Sequence, residues 1–157
     1  MKKYLMFVLF AVAFCWGCAA ARMYPVKGPL SSHQPPPVYN AKLSATFYSG
    51  TFSTALNDGE HFKVPMNMAV NAGPTPPSLA AEWDSVYGAG YYKFKVLDAQ
   101  LHLRGLATGS KGTVLQVELY ENEVRPVPAV KGDHSSLIEM HGVAKDSNGN
   151  VYKVVFR

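Results

Sequence analysis

Cysteine is almost missing from this chain of 157 residues: Cys15 and Cys18 are its only two copies, and both stand in or beside an apolar opening segment. Nothing after position 18 can therefore form a disulfide, a thiolate metal site or a dithiol redox couple. Charge is scarce as well, at 17% of residues. The formal net charge of +4 falls to about +2 once Lys2 and Lys3 are set aside with the opening segment, too little to argue for nucleic acid as a partner. There is no regular alternation of strands with helices, which argues against a doubly wound or α/β-barrel fold.

What is present begins with a leader. Met1-Lys2-Lys3 supplies a positive start, Tyr4 to Phe14 an unbroken apolar run of eleven residues, and Gly17-Cys18-Ala19-Ala20-Ala21 a stretch of small residues. That is the pattern of a secretory signal. Eleven residues make roughly 16 Å of helix, short of the ~30 Å hydrocarbon core, although counting on through Ala21 reaches the lower limit for an uncleaved anchor. Two cleavage sites compete. Cys15-Trp16-Gly17-Cys18 resembles the bacterial lipobox, in which a small residue precedes the cysteine that is acylated. Residues 1–17 would then be a lipoprotein-type signal peptide and Cys18 the lipidation site. Ala19-Ala20-Ala21 instead suits the ordinary signal peptidase, with cleavage after Ala21 and a soluble periplasmic product.

Residues 18–38 contain Pro25, Pro29, Pro35, Pro36 and Pro37 with no apolar periodicity. They read as a proline-rich tether, or else as a strap lying across the domain that follows. From 39 to 157 the pattern is that of one antiparallel β domain. Short alternating segments are predicted as strands at 41–47, 51–56, 60–64, 66–71, 91–97, 99–107, 113–120, 137–145 and 151–156, with Pro65 confining its strand to an edge or an end. Leu115, Val117 and Leu119 should face the core, and Gln116 and Glu118 water. Asn57-Asp58-Gly59, residues 108–112 and Ser147-Asn148-Gly149-Asn150 read as hairpin turns. One helix is predicted, capped by Ser78 and ended by Gly88, with Leu79, Trp83, Val86 and Tyr87 on its apolar side. The expected fold class is thus mainly all-β: a small antiparallel barrel or curled sheet of about seven or eight strands with one short helix.

Chemistry-bearing patterns are thin. Asp146-x-Asn148-x-Asn150 imitates the opening of a calcium loop but has Val151 where the bend needs glycine and no carboxylate at the twelfth position. Gly109-Ser110-Lys111-Gly112-Thr113 has phosphate-loop composition without the spacing. No G-x-S-x-G elbow is present, and Asp133-His134-Ser135-Ser136 on one loop is not a triad. None of the five histidines has H-x-x-x-H spacing. His102, Glu139 and His141 could converge if their strands were neighbours, so they form the candidate polar cluster, with a solvated strand face as the plainer reading. Trp83 and Tyr87 read first as a core-anchoring pair and second as surface aromatics for stacking a ligand. No catalytic residue, cofactor or metal is expected.

Gly17-Cys18, the stretch Arg22-Met23-Tyr24-Pro25-Val26-Lys27-Gly28-Pro29-Leu30, residues 106–118 and the closing 142–152 together resemble small, uncharacterised lipoproteins of Gram-negative bacteria. The resemblance implies an envelope address and supplies no catalytic residues. Ala19 after the cysteine, rather than Asp, implies the outer membrane, with the domain facing the periplasm. Three functions are therefore expected in turn. The first is a non-enzymatic structural or interaction role, with the membrane as one partner through lipid and an envelope protein as another. The second is a barrel that binds a small molecule, and the third a soluble periplasmic protein or enzyme of unknown reaction.

Overall fold

The computed structural model describes residues 18–45, 49–56, 58–68, 76–99, 101–121 and 140–157. Eight strands follow one another around a closed barrel: β1 (Cys18–Lys27), β2 (Tyr39–Ala45), β3 (Ser49–Ala55), β4 (His61–Met68), β5 (His102–Thr108), β6 (Val114–Glu121), β7 (Met140–Asp146) and β8 (Val151–Phe156). Each pairs antiparallel with the next, and β8 closes on β1, Met23 lying opposite Val154. Closure gives every strand a neighbour on both sides, although residues 61–65 of β4 pair with β3 alone. The expected all-β barrel with one short helix is what the chain forms.

Side chains alternate across a strand, so each strand has an inner and an outer row. The inner row holds Met23, Leu43, Phe52, Phe62, Val64, Met66, Leu103, Leu115, Leu119, Tyr152 and Val154, all buried and in one apolar cluster. Eight strands enclose a lumen just wide enough for such side chains to fill. Each large side chain taken fully out of water contributes about 1.5–3 kcal/mol. Gly142 makes room for this layer, because a Cβ there would stand 2.5 Å from Leu119 Cδ2 and 2.8 Å from Val154 Cβ.

Among the described residues, one segment covers part of the outer row. Residues 76–99 cross the outside of β5, β6 and β7 as helix α1 (Ala80–Tyr87) and a π-helical turn (Tyr92–Val96). A second apolar cluster lies under them: Leu79, Trp83 and Val96 from the excursion against Tyr120 and Val143 of the wall.

Several expectations need correction. The proline-rich tether does not stand apart, since its first ten residues are β1, paired on both sides, and Pro29–Ser32 form a 3₁₀ turn. Pro25 is accommodated where the β1–β8 register shifts, between Pro25 and Lys27. The strand expected at 91–97 is instead the π-helical turn. β4 is continuous through Pro65, whose partner on the β3 side is Thr51; the β5 side is paired only from Met66 onward. A proline has no N–H to donate, so it sits where that ladder begins. The expected Ser78 cap is replaced by Leu79. Parts of the expected strands at 46–47, 69–71 and 137–139 fall outside the described residues, as do residues 1–17, expected to be a leader. Among the described residues no helix is long and apolar enough to cross a membrane, which says nothing of strands.

The meander also gives the barrel two unlike rims. Cys18 and Arg157 lie at one, where 76–99 also departs and returns; the turns after β3, β5 and β7 and the 28–38 connection lie at the other.

Candidate functional site

The outer wall beneath α1 holds a buried charged group. Antiparallel pairing of β5 with β6 sets Arg104 opposite Glu118 and His102 opposite Tyr120, all in the outer row. Glu118 has no exposed surface. Its Oε1 accepts from His102 Nε2 at 2.5 Å and from Arg104 Nε at 2.7 Å, while Oε2 accepts the Leu79 backbone N–H at 2.7 Å. That last bond places a carboxylate at the start of α1, in the position a capping side chain would fill. Arg104 Nη2 also donates to the Tyr92 hydroxyl at 2.7 Å. Burial alone would raise the Glu118 pKa. The His102 hydrogen bond, the Leu79 N–H and the charges of His102 and Arg104 outweigh it and hold the carboxyl below its ordinary range.

Aromatic rings complete this wall. Trp83 is fully buried, 5.3 Å from Tyr87 and 5.3 Å from Tyr120 between ring centroids. Tyr87 stacks on Tyr91 at 4.7 Å, donates its hydroxyl to the Gly142 carbonyl at 3.3 Å and lies under Lys153 Nζ. Burial first, then Tyr91, raise the Tyr87 phenol far above its ordinary value. Trp83 Nε1 is the one buried side-chain polar atom among the described residues with no hydrogen-bond partner.

The candidate cluster of the sequence therefore resolves differently from its expectation. His102 and His141 lie on opposite sides of Tyr120, two strands or ~10 Å apart along the sheet. His141 faces the Tyr120 and Tyr87 rings, and Glu139 lies outside the described residues. The carboxylate that His102 meets is Glu118, which was expected to be wet and is instead covered by α1. Cys18 opens β1; its backbone pairs with Ser44. No group of three or more histidines, cysteines or carboxylates among the described residues could hold a metal ion.

A second feature lies at the rim opposite Cys18. A cavity of about 390 Å³ opens there, bordered by Pro29, Leu30, Tyr39, Leu56, Glu60 and Asp146, among others. Its carboxylates are tied down by the turns that carry them. Glu60 Oε1 accepts the Lys111 and Thr113 N–H groups at 3.1 and 2.9 Å. Asp146 accepts the N–H groups of Asn148 and Asn150, the Asn150 amide and the Tyr152 hydroxyl. Asn150 in turn accepts the Leu30 N–H at 2.9 Å, binding the 3₁₀ turn to the β7–β8 hairpin. This is the hairpin that the calcium-like spacing disguised. Asp58, Glu60 and Asp146 line the mouth, and burial first, then Asp58 and Asp146, raise the Tyr39 phenol above its ordinary value.

No protein-family model, curated protein or solved structure matches this chain.

Proposed function

We propose that the chain is an exported envelope lipoprotein. In this reading the leader 1–17 is removed ahead of Cys18, Cys18 is acylated, and the barrel acts at a membrane surface through contacts with another envelope component rather than by catalysis. Ala19 would direct it to the outer membrane, facing the periplasm. The observation that supports this reading is the start of β1. Ala19, Ala20 and Ala21 pair with Leu43, Lys42 and Ala41, and Ala20 accepts the Arg157 N–H at 3.0 Å. Ala21 belongs to the inner apolar row. Cleavage after Ala21 would strip these residues from the barrel seam, whereas cleavage before Cys18 leaves β1 whole. Two or more acyl chains, each contributing ~0.8 kcal/mol per buried CH₂, give stable anchoring. Intact mass of the membrane-fraction protein tests the reading: lipid mass on the native chain and none on Cys18→Ser is expected. Retained lipid on Cys18→Ser, or a native product beginning at Arg22, would overturn it.

One observation favours a second reading, a small-ligand-binding barrel. The lumen itself is filled, but the mouth cavity has the size and the mixed apolar and polar lining of a small-molecule site. Its acidic rim suits a small organic cation. Calorimetry with a panel of alkylamines, comparing native protein with Leu56→Trp to block the cavity, tests this. Equal heats for the two, or none for either, would remove it.

A further inference from the structure

The π-helical turn carries a feature the barrel does not use. Val96 is its buried foot, while Phe94 is 76% exposed and Leu97 55% exposed, the two largest exposures among the bulky apolar side chains described. Lys93 and Lys95 flank Phe94 and are exposed, with Lys93 Nζ 5.7 Å from the Phe94 ring centroid. Within residues 92–98 Asp98 is the one acid against the two lysines, while Asp84 is engaged at the foot by the Tyr92 N–H. Its foot is held firmly. Tyr92 accepts from Arg104, the Tyr92 N–H donates to Asp84 at 2.9 Å, and the Tyr91 and Tyr120 hydroxyls lie 2.5 Å apart. An aromatic side chain between two lysines, and an aliphatic one just beyond them, are thus held out in water.

Position sharpens the chemistry. The chain passes from Leu97 to β5 at the rim where Cys18 begins β1, Leu101 accepting the Glu121 N–H there. In a ring of eight consecutive strands β5 is diametrically opposite β1. At a strand spacing of ~4.8 Å and the usual tilt, that is a separation of about 15 Å. We propose that the Lys93–Leu97 knuckle is an interfacial membrane contact: Phe94 and Leu97 enter the headgroup and acyl boundary of a bilayer, and Lys93 and Lys95 pair with anionic lipid phosphates. With lipid on Cys18 it makes a two-point footing across one rim. The proposal rests on the membrane-anchored reading for its setting. The charge and apolarity of the segment are what interfacial elements use, apolar side chains below and lysines reaching out to headgroups.

The test uses the full-length protein recovered from membranes and reconstituted in phosphatidylcholine vesicles with or without phosphatidylglycerol. Phe94→Trp reports the knuckle and Val38→Trp, exposed at the opposite rim, is the control. Brominated lipid should quench the tryptophan at 94 at least about twofold more than that at 38, and more with phosphatidylglycerol. Adding Lys93→Gln with Lys95→Gln should shift the seated fraction by about fivefold per lysine. Flotation with the vesicles reads anchoring separately. Protein that floats with equal quenching at 94 and 38 overturns the knuckle alone and points to a protein contact instead. Quenching at 94 on a chain whose mass carries no lipid sinks the Cys18 reading and leaves the knuckle standing. Protein that floats with neither vesicle overturns both.

Discussion

Glu118 is a charge with no exposure, held by three donors from two segments: His102 and Arg104 of β5, and the Leu79 backbone N–H at the entry to α1. Removing one partner of such a group leaves the others buried and uncompensated, which costs about 3–5 kcal/mol. Glu118→Gln should therefore lower the midpoint of chemical unfolding sharply. The pH dependence has a definite sign. The folded carboxyl titrates below its ordinary value of 4.5, so its contribution is whole above that pH and is lost as pH falls through the lower folded value. The stability gap between native protein and Glu118→Gln should be widest near neutrality and narrow below pH 4.5; a gap constant from pH 7 to 3 would contradict this assignment. Trp83 offers the opposite case. Its indole fills the interface under α1 but leaves Nε1 unpaired. Trp83→Ala should cost about 3–5 kcal/mol. Trp83→Phe removes the orphan donor along with some packing and should cost less than half of that, as measured by denaturant titration. At this scale the site was partly legible. Period-two alternation puts His102 and Arg104 on one face, and the turn at 108–112 sets Arg104 against Glu118. Hidden from the sequence was the covering of that face by a segment whose contacts reach across 12 to 39 residues of chain, which turns a wet row into a buried one.

Strands with one apolar row and short turns were readable, because their period and their punctuation agree: β5 to β6 and β7 to β8 lie close to where alternation and turn residues put them. β1 was not readable. Its prolines and the small residues at 19–21 imitate a tether, and only pairing with β2 and with β8, at the far end of the chain, makes it a strand. The π-helical turn fails for a different reason. Tyr92-Lys93-Phe94-Lys95-Val96 alternates as a strand would, but the Asp84 and Arg104 contacts fix Tyr92 in a helical setting and leave Phe94 outward. A pair of substitutions separates strand from tether at β1. Ala21→Asp puts a charge into the inner row and should cost at least about 3 kcal/mol, whereas Ala20→Asp, exposed on the outer row, should stay within about 0.5 kcal/mol. Equal thermal midpoints for the two variants would return the segment to a tether.

For the molecule as a whole, the two rims predict an orientation. If Cys18 carries the proposed acyl chains at one rim, with the mouth cavity at the other, the β5–β6 turn should point away from the bilayer. Lys111 on that turn is 51% exposed and Lys93 is on the proposed footing. Amine-reactive labelling of vesicle-bound protein, read by peptide mass, should then modify Lys111 at the rate seen in detergent and Lys93 several-fold more slowly. Protection of Lys111 instead would invert the orientation.

The seam between β1 and β8 has a temporal meaning. A nascent polypeptide still lacking residues 151–156 exposes raw edges on both β1 and β7, and no local contact can heal them. Ring completion therefore waits for the last strand, and the closing contact joins segments of the greatest separation, a slow step by the logic of loop entropy. Of the eight strands, the one made earliest is the last to gain its second neighbour, so the barrel cannot close before β8 has emerged.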